Sequence, residues 1–224
     1  MTNAPGPVVF DAYGTLFDPV ALSEPLERRF PGRGLALALA WRATQLRHTW
    51  LRSLMERWAD FDTITGDTLA QTLDAAGLPA DDSLLADLLA AYRSLPPYPD
   101  VAPALAALAP ERPRAILTNG TRATVEATVR AAGLEAALPV VLSVEAVRVY
   151  KPAPAVYALA SDHFGVKPAD TTFVSGNAWD CAGAASFGFR VVRIRRSPEA
   201  PERLGWSSIA TIDDLRELAE RSLR

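Results

Sequence analysis

The 224-residue sequence has a single cysteine, Cys181, only two histidines and only two methionines. One thiol excludes an internal disulfide and fits a reducing compartment. Two histidines and one cysteine are too few for a structural zinc site built on those ligands. No apolar run approaches the roughly 20 residues that a membrane-spanning helix needs. The N-terminus, Met-Thr-Asn-Ala-Pro-Gly-Pro, has no basic stretch leading into an apolar one, so no signal peptide is expected. An excess of positive charge is also missing. The net charge is -3, which points to neither nucleic acid nor a membrane surface as partner. Internal repeats and low-complexity tracts are absent. The expectation is a cytoplasmic globular protein, 49% hydrophobic and 22% charged, long enough for one large domain or a domain with an insertion.

What the chain does have is one informative stretch near its start. Val8-Val9-Phe10 runs into Asp11, and a glycine turn at Gly14 follows. This reads as a buried strand that delivers a carboxylate to its carboxyl end, the edge where open α/β sheets bind ligands. An aspartate there can act as a nucleophile through a covalent ester. It can equally be a turn residue that accepts backbone amides.

Residues 20–95 read as all-helical. Helices are expected over 20–29 and 34–58, then one capped by Thr65 or Asp67 and reaching Ala76, then one capped by Asp81 or Asp82 and reaching Arg93. Leu35, Leu39, Arg42, Leu46, Trp50 and Leu54 recur by threes and fours and so form one stripe. Arg42 is the anomaly on it. Its stem could pack while its head reaches water, or it could clamp an anion in a cleft. Pro96-Pro97-Tyr98-Pro99 then reads as a linker. Beyond it, apolar runs at 115–117, 140–142, 172–174 and 190–194 alternate with helical patterns, the last over 212–223. Alternation of this kind predicts an α/β fold with a parallel sheet covered on both faces. The expected division is a core of 1–18 and 97–224 with a helical insertion of 19–96.

Polar groups cluster where the predicted strands end: Asp11 with Thr15, Thr118 with Asn119, Lys151, and Ser175 with Asn177 and Asp180. Sheet topology can gather them in one crevice. Their order resembles the haloacid dehalogenase superfamily, over essentially the whole chain. The resemblance implies a Rossmann-like core and a helical cap domain. Two positions depart from the superfamily's phosphatases. Tyr13 stands where they carry a second aspartate that protonates the leaving oxygen, and tyrosine is far from a working acid at neutral pH. Gly176 stands where they carry the first acid of a magnesium motif, leaving Asp180 alone. Both losses suit a halide leaving group, which needs no proton. Asp11-Ala12-Tyr13-Gly14-Thr15-Leu16-Phe17-Asp18, Trp41-Arg42, Thr49-Trp50-Leu51-Arg52-Ser53-Leu54-Met55, Val147-Arg148-Val149-Tyr150-Lys151-Pro152 and Asn177-Ala178-Trp179-Asp180 further resemble the L-2-haloacid dehalogenases.

That resemblance implies hydrolysis of 2-haloacids to hydroxy acids and halide, with no metal and no cofactor. By motif, Asp11 would be the nucleophile and Lys151 its cationic partner. Thr15 and Ser175 would position the Asp11 carboxylate, and Asp180 with Asn177 would activate water. Thr118, Asn119 and Arg42 would hold the substrate carboxylate or the halide. Tyr13, Phe61 and Trp179 would form an apolar wall. Tyr157 would support the site, though its helix also allows a plain core role. A homodimer is implied as well, with Trp50, Leu54 and Trp58 as candidate interface residues that would serve equally in a core. Thr118 replaces a usual serine, Gly176 a common serine, Ala43 a longer polar residue and His48 a tyrosine; these changes bear on substrate preference. Two other readings stay open: a magnesium-dependent phosphatase of the same fold, and a catalytically silent binding protein.

Overall fold

The computed structural model describes residues 6–197 and 203–220. Its centre is a six-stranded sheet made of β1 (Val8–Phe10), β2 (Arg114–Thr118), β3 (Val141–Ser143), β4 (Thr172–Ser175), β5 (Arg190–Ile194) and β6 (Ala210–Ile212). All neighbours run parallel, in the order β3-β2-β1-β4-β5-β6. The short apolar runs Val8-Val9-Phe10 and Phe173-Val174 are wholly buried, as strands covered on both faces must be. Phe10 lies level with Ile116 on β2 and Val174 on β4. The chain therefore leaves β1, β2 and β4 at one edge. β1 is also where the strand order reverses, so the crevice between its two flanking crossovers opens beside Asp11.

After β1 the chain first builds a helical part from α1 (Ser23–Arg29), α2 (Gly34–Leu54), α3 (Phe61–Ala75) and α4 (Asp82–Tyr92). Leu37, Trp41, Ile64, Leu69, Leu73, Leu84 and Leu88 are buried in this helical part, each contributing about 1.5–3 kcal/mol on burial. The two chain crossings to it lie side by side. The Asp18 amide donates to Pro96 O at 3.0 Å and the Tyr98 amide to Leu16 O at 2.9 Å. The helices α5 (Val101–Ala107), α6 (Arg122–Ala131), α7 (Pro154–Phe164), α8 (Ala178–Phe187) and α9 (Glu217–Glu220) accompany the sheet.

Several boundaries differ from expectation, for local reasons. The helix expected over 20–29 is a 3₁₀ turn at Pro19–Leu22 followed by α1. α2 stops at Leu54 rather than at 58, where Glu56 takes a left-handed φ of 55°. α3 starts earlier than predicted, because Asp60 is its cap and accepts from the Thr63 amide at 2.7 Å. Thr65, expected as a cap, lies inside the helix. The predicted stripe on α2 is not its buried face: Leu35, Leu39 and Leu54 are 55%, 50% and 82% exposed. Leu37, Ala38, Trp41, Gln45 and Thr49 are buried instead. Trp58 is half-buried and stacks on Tyr150 at 4.9 Å. The last predicted helix begins as β6, an edge strand of three residues, and α9 follows it. Its expected end at 221–223 and the N-terminal residues 1–5 lie outside the described residues.

Candidate active site

The site is built from strand ends and loops on one edge of the sheet, roofed by α2 and α3. Asp11 follows β1 and is almost fully buried. A buried carboxylate needs hydrogen-bond donors for its oxygens. Its Oδ2 accepts from Thr15 Oγ1 at 2.8 Å, Asn177 Nδ2 at 2.7 Å and Ser175 Oγ at 3.4 Å. Its Oδ1 accepts from the Lys151 ammonium at 3.0 Å. These contacts fix the position of both carboxylate oxygens.

Lys151 Nζ is wholly buried and also donates to Asp180 Oδ2 at 2.9 Å. Burial pushes the ammonium's pKa down, but Asp11 and Asp180 push it up further, and the balance is upward. Asp180 is wholly buried on the first turn of α8. Burial raises its carboxyl to about 6, with Lys151 opposing and Asp11 adding to the rise. Its Oδ1 accepts from Tyr157 Oη at 2.7 Å. Burial likewise drives the Tyr157 phenol far upward, so it remains a donor. Ser175 Oγ lies within reach of both carboxylates, 3.4 Å from Asp11 and 3.3 Å from Asp180. It has one proton and can serve only one of them at a time.

Asn177 stands at the N-cap position of α8, yet its side chain does not cap the helix. It reaches Asp11 and, at 2.9 Å, Tyr13 O. The loop after β1 is tied down in turn. Thr15 Oγ1 accepts from the Gly176 amide at 2.9 Å, and Thr15 O accepts from Arg196 Nη2 at 2.8 Å. A Cβ at Gly176 would lie 2.1 Å from Gly14 O, so this backbone has no room for an acidic side chain there. Among the described residues, no three His, Cys, Asp or Glu side chains could hold a metal together. The site's two carboxylates are bridged by an ammonium. This donor set does not fit a divalent cation, which favours several hard oxygens.

The remaining predicted residues are distributed as follows. Arg42 leans from α2 toward the site: Nη1 donates to Gln45 Oε1 at 2.8 Å and Nη2 approaches Tyr13 O at 3.4 Å. Asn119 Oδ1 is committed to the Lys151 backbone amide at 3.0 Å; it orients the lysine loop, and only its amide nitrogen is left to face a ligand. Thr118 Oγ1 accepts from the Gly120 amide at 2.9 Å and is wholly buried. Tyr13 stacks on Phe61 at 5.8 Å and meets Tyr92 edge-on at 5.0 Å. Its buried hydroxyl has no hydrogen-bond partner among the described residues, and burial lifts its pKa well above the phenol range. Trp179 is half-buried and packs edge-on to Trp50 at 5.6 Å. An apolar depression of about 410 Å³, lined in part by Trp50, Leu54, Tyr150 and Pro152, reaches the Lys151 loop.

Three contributors escaped the sequence reading. Gln45 is buried against Arg42. Arg196 holds Thr15 O while both Asp100 oxygens hold its Nη1 at 2.8 Å. Gly183 lies one turn after Asp180 on α8; a Cβ there would meet Tyr157 Oη at 2.4 Å. Nothing in the sequence distinguishes Gly183 from the neighbouring Gly176 and Gly188.

Comparison with known proteins agrees with this geometry. Residues 8–188 match the family model of haloacid dehalogenase-like hydrolases. The chain is 50% identical to an (S)-2-haloacid dehalogenase of Xanthobacter autotrophicus over 88% of this chain and 78% of that protein. It is 39% identical to one from Pseudomonas putida over 98% and 96%. The solved L-2-haloacid dehalogenase of Xanthobacter autotrophicus with chloropropionic acid covalently bound superposes with a TM-score of 0.91 at 41% identity, covering 96% of this chain and 97% of that one. The chain belongs to the (S)-2-haloacid dehalogenases, within the haloacid dehalogenase-like hydrolases.

Proposed function

We propose that the chain hydrolyses short L-2-haloalkanoic acids to D-2-hydroxy acids and halide, through an ester on Asp11 and without a metal. The observation that carries this reading is the Lys151 ammonium seated between Asp11 and Asp180, at 3.0 and 2.9 Å. A carboxylate held and oriented in this way can displace halide from C2 with inversion. The C–halogen bonding pair leaves with the halide, so no acid is required at position 13. Water then adds to the ester's carboxyl carbon. Asp180 takes the water proton, a role suited to a carboxyl near pH 6, and Asn177 holds the ester oxygen from the other side. Cleavage of the acyl–oxygen bond frees the hydroxy acid, whose leaving oxygen takes the proton held by Asp180, and regenerates the Asp11 carboxylate as the second water proton is lost to solvent. Lys151 stabilises the negative charge that develops in this second step.

Arg42, Thr118 and the Asn119 amide bind the substrate carboxylate or departing halide, against the wall of Tyr13, Phe61 and Trp179. Tyr157 holds Asp180 in place. A homodimer belongs to the same reading: the exposed Leu35, Leu39 and Leu54 on α2 support a second copy as what covers them. So does a cytoplasmic setting, which the free buried thiol of Cys181 supports. No helix among the described residues is long and apolar enough to cross a membrane.

The test is halide release from L- and D-2-chloropropionate in excess EDTA, with p-nitrophenyl phosphate plus Mg²⁺ alongside. Chloride from the L isomer alone is expected. Phosphate release that needs Mg²⁺, without chloride, would replace this reading by the phosphatase one. Light scattering addresses the dimer, which a monomeric mass at micromolar concentration would refute.

A further inference from the structure

We propose that Asp62 is a positioning residue that sets the chain length of substrate the site accepts, by clasping the helical part to the core beside Tyr13 and Phe61; this rests on those two rings lining the substrate pocket. Asp62 is the second residue of α3, directly after Phe61. Its Oδ2 accepts from Thr124 Oγ1 at 2.7 Å and from Thr121 Oγ1 at 3.3 Å. Both threonines are buried at the start of α6. Thr121 caps that helix, accepting from the Thr124 amide at 3.2 Å, and it directly follows Thr118-Asn119-Gly120. Arg93, just past α4, brings Nη2 to 3.9 Å from the same Asp62 oxygen. An acid in the first turn of a helix ordinarily serves that helix's own dipole. Here the same carboxylate reaches a second helix start, where two hydroxyls hold it.

Tyr13 touches both ends of this clasp. A Cβ at Gly120, the residue before Thr121, would fall 3.0 Å from Tyr13 Cε2 and 3.2 Å from its Oη. Phe61, the residue before Asp62, stacks on the Tyr13 ring at 5.8 Å and 10°. The Tyr13 hydroxyl has no hydrogen-bond partner among the described residues, so packing against these neighbours is what holds the ring. Releasing Asp62 lets Phe61 and the Gly120 turn draw apart around Tyr13, which enlarges the apolar wall. A second fastening does not involve Asp62: the Tyr150 amide donates to Ser53 Oγ at 3.1 Å, and Tyr150 Oη donates to Ala59 O at 2.7 Å. It keeps the helical part seated when Asp62 is replaced.

The experiment measures chloride release by the full-length enzyme from L-2-chloropropionate and L-2-chlorobutyrate, which differ by one methylene. Thr124→Val removes the closer donor at matched shape, and Asp62→Ala removes the acceptor. Each should raise the ratio of kcat/KM for chlorobutyrate over chloropropionate by about tenfold, the low end of what room for one methylene is worth. Thr124→Ser keeps the hydroxyl and should leave the ratio within about twofold of wild type. In the Asp62→Ala background Thr124→Val should add nothing. Both substrates are monoanions, so the lost Asp62 charge cancels in the ratio. The active fraction of a less stable variant cancels as well. A ratio that stays or falls in Asp62→Ala, an equal shift in Thr124→Ser and Thr124→Val, or additive shifts in the double variant would each overturn the clasp. The dehalogenase reading would survive all three, because it stands on chloride release by the wild type. No chloride from the wild type with either substrate would remove both.

Discussion

Replacing Lys151 by methionine tests the electrostatics of the site most directly. Methionine matches the lysine stem closely in volume, so packing against Phe173, whose ring centroid is 5.1 Å from Nζ, is largely kept. What disappears is a buried charge that two buried carboxylates share. Removing one partner of such a pair costs about 3–5 kcal/mol. For a chain of this size that corresponds to a melting temperature lower by about 6–20 °C. The loss should depend on pH. Asp180 is already held above its unfolded pKa by burial, and without the opposing ammonium its folded-state pKa rises further. The folded state then binds more protons than the unfolded one, and stability falls as pH rises through that window. Lys151→Met should therefore be strongly destabilised at pH 8 and much less so at pH 5. Adding Asp180→Asn should recover stability without recovering turnover. Urea melts at the two pH values, with chloride release in parallel, provide the assay. An equal loss at both pH values would refute the reasoning, as would wild-type stability at pH 8.

The other expectations follow from single contacts. Asp11→Asn should abolish chloride release while leaving the circular dichroism spectrum and melt near wild type, since Lys151 keeps its bond to Asp180. Because Asp180 is raised to about 6 and must be ionised to act as base, kcat should fall about tenfold per pH unit below that value. Tyr157→Phe removes a hydrogen bond that favours the carboxylate, so the acidic limb should move upward; a limb that stays in place counts against Asp180 as the base. Gly183→Ala should push Tyr157 Oη away from Asp180 and shift the same limb upward with a measurable loss of kcat. A crystal structure of that variant with the tyrosine undisplaced would contradict it.

Much of the sheet was legible because β1, β2, β4 and β5 are apolar runs cut off by polar or glycine residues. The polar set at their ends could be read as one site because parallel strands share a carboxyl edge. β6 was hidden, being three residues long with Thr211 exposed. The orientation of α2 was misread for a different reason. Its buried face includes Gln45 and Thr49, polar residues whose burial depends on partners contributed by other parts of the fold. A hydrophobic count therefore favours the wrong stripe. Gln45, Gly183 and Arg196 share this property. Gly183 and Arg196 matter through contacts between elements far apart in sequence, and Gln45 is buried by partners of that kind, Thr65 and Tyr92; nothing in the local pattern marks any of them.

The span of those contacts has a kinetic consequence. Asp11 meets Lys151 across 140 residues and Asn177 across 166. Between β1 and its first sheet partner lies an entire helical subassembly, and β4 joins β1 later still. Such closures are entropically costly and form late. No early fragment or partly assembled sheet can therefore contain a working nucleophile. Returning turnover during refolding should report completion of the sheet, not nucleation of any helix. A burst of activity preceding recovery of global tertiary signals would mean that the strands meet in an order this topology does not favour.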